Sequence, residues 1–140
     1  MTLSKRAAIV AWTLQLIACA ILGQTLFFKF SAAPESVFIF TRLGMEPWGR
    51  IGSGVAELVC CVLLLVPRTA ILGALGVVGV MAGALLSHVT TLGVVVQDDG
   101  GLLFALACVV MACAAGVIWL RRAEWLLTVR RLTQRGVRAA

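Results

Sequence analysis

Four apolar stretches, each about as long as a bilayer is thick and separated by short polar breaks, limit what this chain can become. They cover residues 7–30, 48–66, 70–91 and 101–120. At a rise of about 1.5 Å per residue, roughly 20 helical residues cross a hydrocarbon layer of about 30 Å. The expected fold is therefore all-α: a four-helix transmembrane bundle over residues 1–120, followed by a basic tail over 121–140. Composition agrees, with 61% hydrophobic and 13% charged residues in 140 and a mean hydropathy of +1.06. No room remains for a separate soluble domain, which excludes a tethered enzyme working in water.

The breaks carry turn chemistry. In "VPRT", Val66 to Thr69, Pro67 removes a backbone donor and Arg68 marks a water boundary; "QDDGG", Gln97 to Gly101, is short and polar. Links this short make the second and third spans, and the third and fourth, antiparallel neighbours. The first link, "SAAPESVFIFTRLGMEPWGR", is longer and half apolar. Its "VFIF" predicts a short helix or re-entrant piece at the interface, starting at Ser36 or Pro34.

The formal charge of +6 reflects topology rather than nucleic-acid binding, because the basic residues flank the spans and bunch at the C-terminus, with no surface rich in Tyr or Phe between them. Lys5, Arg6, Arg68, Arg121, Arg122, Arg130, Arg131, Arg135 and Arg138 share one side, which places both termini in the cytoplasm of a multi-pass inner-membrane protein. The N-terminus begins like a signal peptide, but its apolar run reaches Phe28 and reads as a retained helix. In the tail, Trp125, Leu126, Val129 and Leu132 fall near one helical face among arginines. This predicts an amphipathic basic helix on an anionic membrane surface, with a solvated tail as the alternative.

The five cysteines, Cys19, Cys60, Cys61, Cys108 and Cys113, all lie within spans, with no C-x-x-C pair and no His at ligand spacing. They read as packing residues, and no metal site is expected. "GALGVVGVMAGALL" repeats glycine at Gly73, Gly76, Gly79 and Gly83. The GxxxG of Gly79 and Gly83 is expected to let helices pack closely within the bundle, or between copies in a homo-oligomer.

Ionisable groups inside a bilayer need partners. Lys29, Glu57 and His88 all fall in the same half of the membrane: Glu57 lies about 13 Å below the entry at Trp48, and His88 some 18 residues along the third span. Arg50, Gly54, Glu57 and Cys61 share a helix face, making Arg50 a second counter-ion for Glu57, and Gln24 adds an amide near Lys29. Two readings follow. One is a structural Lys/Arg–Glu ion pair in a non-catalytic membrane scaffold. The other is a polar pocket of Gln24, Lys29, Arg50, Glu57 and His88, with Gly54 packing beside it, suited to a quinone head group: its carbonyl oxygens need donors, and its reduction takes up protons. The sequence holds no flavin fingerprint and no haem motif. Electrons would come from a redox-protein partner, so an enzyme acting alone is not expected.

"ILGQTLFFKF", "LGMEPWGRIGSGVAELVCCVLLLVPRTA" and "GALGVVGVMAGALLSHVTTLG" resemble the DoxX-like family of small bacterial four-helix membrane proteins. The matching positions are Gly23 and Lys29, Gly54 and Glu57, Pro67 and Arg68, and Ala84 and His88. The resemblance implies a four-helix bundle. It also implies kinship with membrane subunits of quinone-linked oxidoreductase systems and with accessory proteins for maturing redox enzymes.

Overall fold

The computed structural model describes residues 3–138, with side-chain surroundings through residue 126. All regular structure among these residues is helical: α1 (Lys5–Phe30), α2 (Pro34–Arg42), α3 (Trp48–Leu65), α4 (Ala70–Ser87) and α5 (Leu102–Arg138), with a π-helical turn, His88–Leu92, prolonging α4. Four of them, α1, α3, α4 with its π turn, and α5 over Leu102–Leu126, are long and apolar enough to cross a membrane. The basic tail continues α5 without a break. Its amphipathic pattern rests on Val129 and Leu132, whose side chains lie outside the described residues.

The four long helices close a square in which α1 packs on α3, α3 on α4, α4 on α5, and α5 back on α1. An even number of spans brings both termini to one end, while α2 and the π turn lie at the other. Between them the core is thin and filled by small and medium side chains: Ala18, Leu22, Leu64, Ala74, Val77, Val110, Ala114 and Val117 are at most 1% exposed. Large apolar residues such as Leu16, Phe27, Val62, Leu86 and Val109 face outward instead. This surface suits lipid. Lipid tails are as apolar as leucine, so helix association there depends on close packing and on polar cross-links rather than on hydrophobic burial.

The close packing is found where α3 and α4 leave their shared turn. A Cβ on Gly73 would lie 2.5 Å from the Leu64 backbone nitrogen and 2.9 Å from the Cys60 carbonyl oxygen, and one on Gly76 would lie 2.6 Å from Cys60 Sγ. Gly79 and Gly83, the GxxxG pair expected to pack within the bundle, would meet nothing within 4 Å. On α4, close contact is confined to the first two turns beyond the link, and the later glycines of that helix stand clear of it. Gly73→Leu is therefore expected to destabilise by about 1–3 kcal/mol or more, since backbone must move, and Gly79→Leu to change stability little. Thermal unfolding of the detergent-solubilised variants measures the difference.

The same turn explains how α3 ends. Pro67 has no N–H for the Leu63 carbonyl, and Thr69 Oγ1 donates to that carbonyl instead, at 3.0 Å. Val66 is extended (φ −96°, ψ 116°), so the Leu64 carbonyl also loses its helical donor. Gln15 Nε2, from α1, supplies it.

At the opposite end, α2 starts with Pro34 in its first turn after Ala33, without a side-chain cap. Ser36 is not the start: it lies inside the helix and is buried with Phe40, one turn on. This inward face packs α2 against α1, α3 and the π turn. The third span does not run evenly to Thr91. Its α-helical bonding stops at Ser87, and the Gly93 N–H reaches the His88 carbonyl, five residues back, at 2.8 Å. Gly93 then leaves the helix with φ +83°, a conformation glycine adopts without steric cost.

Candidate functional site

α3 buries Arg50, Gly54, Glu57, Cys60, Cys61 and Leu64, a row at spacings of three and four that faces the bundle. Glu57 is 2% exposed. Lys29 Nζ lies 2.5 Å from its Oε1, and Thr25 Oγ1 lies 3.0 Å from its Oε2 and 2.8 Å from the Leu22 carbonyl, so the single Thr25 proton is shared between the carboxylate and its own helix. A charged carboxylate in an apolar interior demands such partners. Gly54 makes the pairing geometrically open: a Cβ there would lie 3.1 Å from the Phe30 ring and 3.6 Å from Lys29 Cβ, so its absence lets the end of α1 rest on α3. The Phe40 ring of α2 lies 5.8 Å from Lys29 Nζ, within cation–π range.

Arg50 takes a different partner from the one expected. Its Nε donates to Glu46 at 2.9 and 3.0 Å, and its Nη2 lies 2.8 Å from Glu46 Oε1. Nη1 bonds to the Lys29 carbonyl, one of the acceptors left over where α1 ends. Glu46 stands four residues before Arg50 and reaches it locally, leaving Lys29 as the counter-ion of Glu57. Arg50 acts on the pair by fixing the backbone of Lys29.

Gln24 is exposed and stands apart from the cluster. Helical phase gives the reason: four residues before Lys29 return to within about 40° of it, which selects Thr25, whereas five residues turn Gln24 about 140° away. His88 lies at the same end and is 6% exposed, but no hydrogen bond or ion pair joins it to Lys29 or Glu57 among the described residues. Its Nδ1 is 2.8 Å from the Gly93 carbonyl and must carry the proton, because a carbonyl only accepts. Its ring meets Phe104 edge-on with centroids 5.7 Å apart. Beside it, Asp99 accepts from the N–H groups of Leu103, Val96 and Gly101 at 2.8–2.9 Å, closing the loop into α5. The Leu103 N–H, with smaller contributions from the other two and from His88, holds the Asp99 carboxyl below the usual carboxylate range. α2, packed on α1, α3 and the π turn, is the element shared by the His88 corner and the ion pair.

A second buried polar cluster, at the end bearing the termini, has no counterpart among the expected site residues. Gln15 is 0% exposed and Arg121 5%. Arg121 donates to Gln15 Oε1 from Nε at 3.1 Å and Nη2 at 2.9 Å, lies 3.4 Å from Glu124, and stacks over Trp12 at 5.9 Å. The Leu3 N–H donates to Glu124 at 3.1 Å. The cluster ties α1, α3 and α5 together. A signal for Gln15 was present: it falls in the row Ala11, Gln15, Ala18, Leu22, the buried face of α1.

Four of the five cysteines pack: Cys60, Cys61 and Cys113 are buried, Cys60 pressing on Gly76, and Cys19 is half-buried with its Sγ 3.8 Å from the Cys61 carbonyl. Cys108 is exposed on the outer surface instead, and all five are free thiols. Among the described residues, no group of three His, Cys, Asp or Glu could hold a metal ion.

A model of the DoxX-like family matches residues 13–117, three quarters of the chain and part of every long helix. This chain belongs to the DoxX-like family. Family membership and the four apolar helices together make it an integral membrane protein. The DoxX-like region contains Lys29, Arg50, Glu57 and His88, and it ends four residues before Arg121. No curated protein and no solved structure matches the chain.

Proposed function

We propose that this DoxX-like protein is a membrane subunit or accessory factor of a quinone-linked redox system in the bacterial cytoplasmic membrane, with Lys29, Thr25 and Glu57 at the quinone head group. One observation carries the reading. Lys29 spends one N–H on Glu57, while its side chain stays 14% exposed beside the Phe40 ring, leaving two donors that a carbonyl oxygen can accept. The excess of lysines and arginines at the opposite end supports an outer-side location for this one.

Quinone reduction consumes two electrons and two protons, and the electrons come from a partner protein. Lys29 holds and orients the head-group oxygen and can give it a proton, and Glu57 positions Lys29 for this; the proton that Lys29 gives up is replaced, and the second proton of the reduction supplied, from solvent at this end of the bundle. Phe40 excludes water on the α2 side. Glu57→Gln keeps the shape and a carbonyl acceptor for Lys29 but removes the charge. It is expected to leave the bundle folded and to lower both quinone co-purifying with the detergent-extracted protein and quinone-dependent activity in membranes by at least about tenfold. Unchanged quinone content would overturn the proposal.

The scaffold reading is favoured by a different observation: both Glu57 oxygens already lie within hydrogen-bond distance of α1 side chains, Lys29 and Thr25, so the carboxylate is held without a ligand. On that reading Glu57→Gln lowers the melting temperature and leaves co-purifying quinone as it was.

A further inference from the structure

Gln24 belongs to no cluster, and its position on α1 is unusual. It is exposed, about a turn and a half before the helix ends at Phe30, inside a stretch apolar enough to cross a membrane. Among the described residues its amide has no hydrogen-bond partner. Two N–H donors and a carbonyl oxygen left in hydrocarbon are costly, and a lipid tail can satisfy neither.

The surface around it is patterned. Val10, Thr13, Ile17, Ala20, Gln24 and Phe27 are all exposed and follow one another at alternating spacings of three and four. That is the heptad row of a helix–helix seam, lying about 150° around α1 from the buried row that holds Gln15 and Leu22. Ala20, within this row, and Gly23, next to Gln24, leave the surface low on either side of the amide, and a Cβ on Gly23 would meet nothing within 4 Å. Thr13 makes no demand on a partner, because its Oγ1 donates to the Ile9 carbonyl of its own helix at 3.0 Å.

We propose that this face of α1 pairs with the same face of a second copy of the chain, Gln24 bonding to Gln24 across a two-fold axis. The amide points to that partner by its chemistry: it is donor and acceptor at once, so two copies related by a two-fold satisfy each other reciprocally. A lone polar residue in a heptad row also fixes register and the number of chains. The left-handed crossing such a row produces, near +20°, is the common one in membrane bundles. The rival face, around Gly79 and Gly83 of α4, offers space without a polar group to choose a partner, since Ser87 and Thr90 bond to carbonyls of their own helix. The pairing does not depend on what Lys29 and Glu57 bind.

The test uses the full chain, singly labelled and reconstituted in phosphatidylcholine–phosphatidylglycerol vesicles over a range of protein-to-lipid ratios, with single-molecule photobleaching to count copies. The dimer fraction is expected to rise with the ratio. Q24L should weaken dimerisation several-fold to about tenfold, and Gly79→Leu should leave it unchanged. Q24E should dimerise at acidic pH, where two neutral carboxyl groups can pair, and dissociate as pH rises and like charges face each other. In dilute detergent, where both proteins are monomeric and dimerisation adds nothing to stability, the melting temperature of Q24L should match that of the parent chain, since Gln24 lies on the outer face. Monomers at every ratio, a dimer indifferent to Q24L, or one broken by Gly79→Leu would each overturn the proposal.

Discussion

Lys29→Met is expected to destabilise the bundle by about 3–5 kcal/mol, while Lys29→Met combined with Glu57→Gln recovers most of the loss. The single change strips Glu57 of its counter-ion at a position 2% exposed and leaves only the Thr25 hydroxyl against it. Breaking a buried pair from one side costs more than the pair itself contributes, because the remaining charge stays desolvated. Removing both charges takes away the cause, and the coupling between the two sites appears as strong non-additivity. Thermal or SDS-driven unfolding of the four proteins in one detergent completes the cycle. Equal losses in the single and double variants would mean that the cost does not come from stranding the Glu57 charge, and would overturn this account.

At the other end of the bundle, Gln15→Leu is expected to cost about as much, although it removes no charge. The amide serves two buried groups at once: Nε2 caps the Leu64 carbonyl freed by the extended Val66, and Oε1 receives two N–H groups of Arg121. Leucine leaves an acceptor unpaired, at about 1–3 kcal/mol, and a 5%-exposed guanidinium with Glu124 and the Trp12 ring alone. Arg121→Met added to Gln15→Leu should therefore cost little further, with a coupling of about 0.5–3 kcal/mol between the two positions. The same unfolding measurements decide it, and simple additivity would mean that Arg121 is held by Glu124 rather than by Gln15. Quinone content should not respond to Gln15→Leu, which separates stability at this end from function at the Lys29 end.

The two clusters follow from the same physics. Between four helices in lipid there is no hydrophobic force to close the bundle, so specific polar links and close small-residue contacts have to do so. Here the links sit near the two ends, Gln15 and Arg121 at one and Lys29 and Glu57 at the other, while the middle is apolar and carries Ala18, Leu22, Val77 and Val110.

Much of this was legible from residues alone, and the exceptions share a cause. Hydropathy is a sum over single residues and does not depend on neighbours, so four spans, their turns at Pro67 and at Gln97 to Gly101, and the common depth of Lys29 and Glu57 could be read directly. Helical phase within one segment was equally available: it put Gly54 and Glu57 on one face. Applied fully, it would have chosen Thr25 over Gln24; Glu46, in the turn just before α3, was offered to Arg50 by sequence proximity alone. What no single segment contains is how each helix is rotated and where two of them cross. Those quantities decided that Gly73 and Gly76 pack while Gly79 and Gly83 do not, and that Arg121 meets Gln15 across 106 residues of sequence. They also left the Gln24 amide on the outer face. They are set by the joint fit of side chains from different helices, which exists only once the bundle has closed.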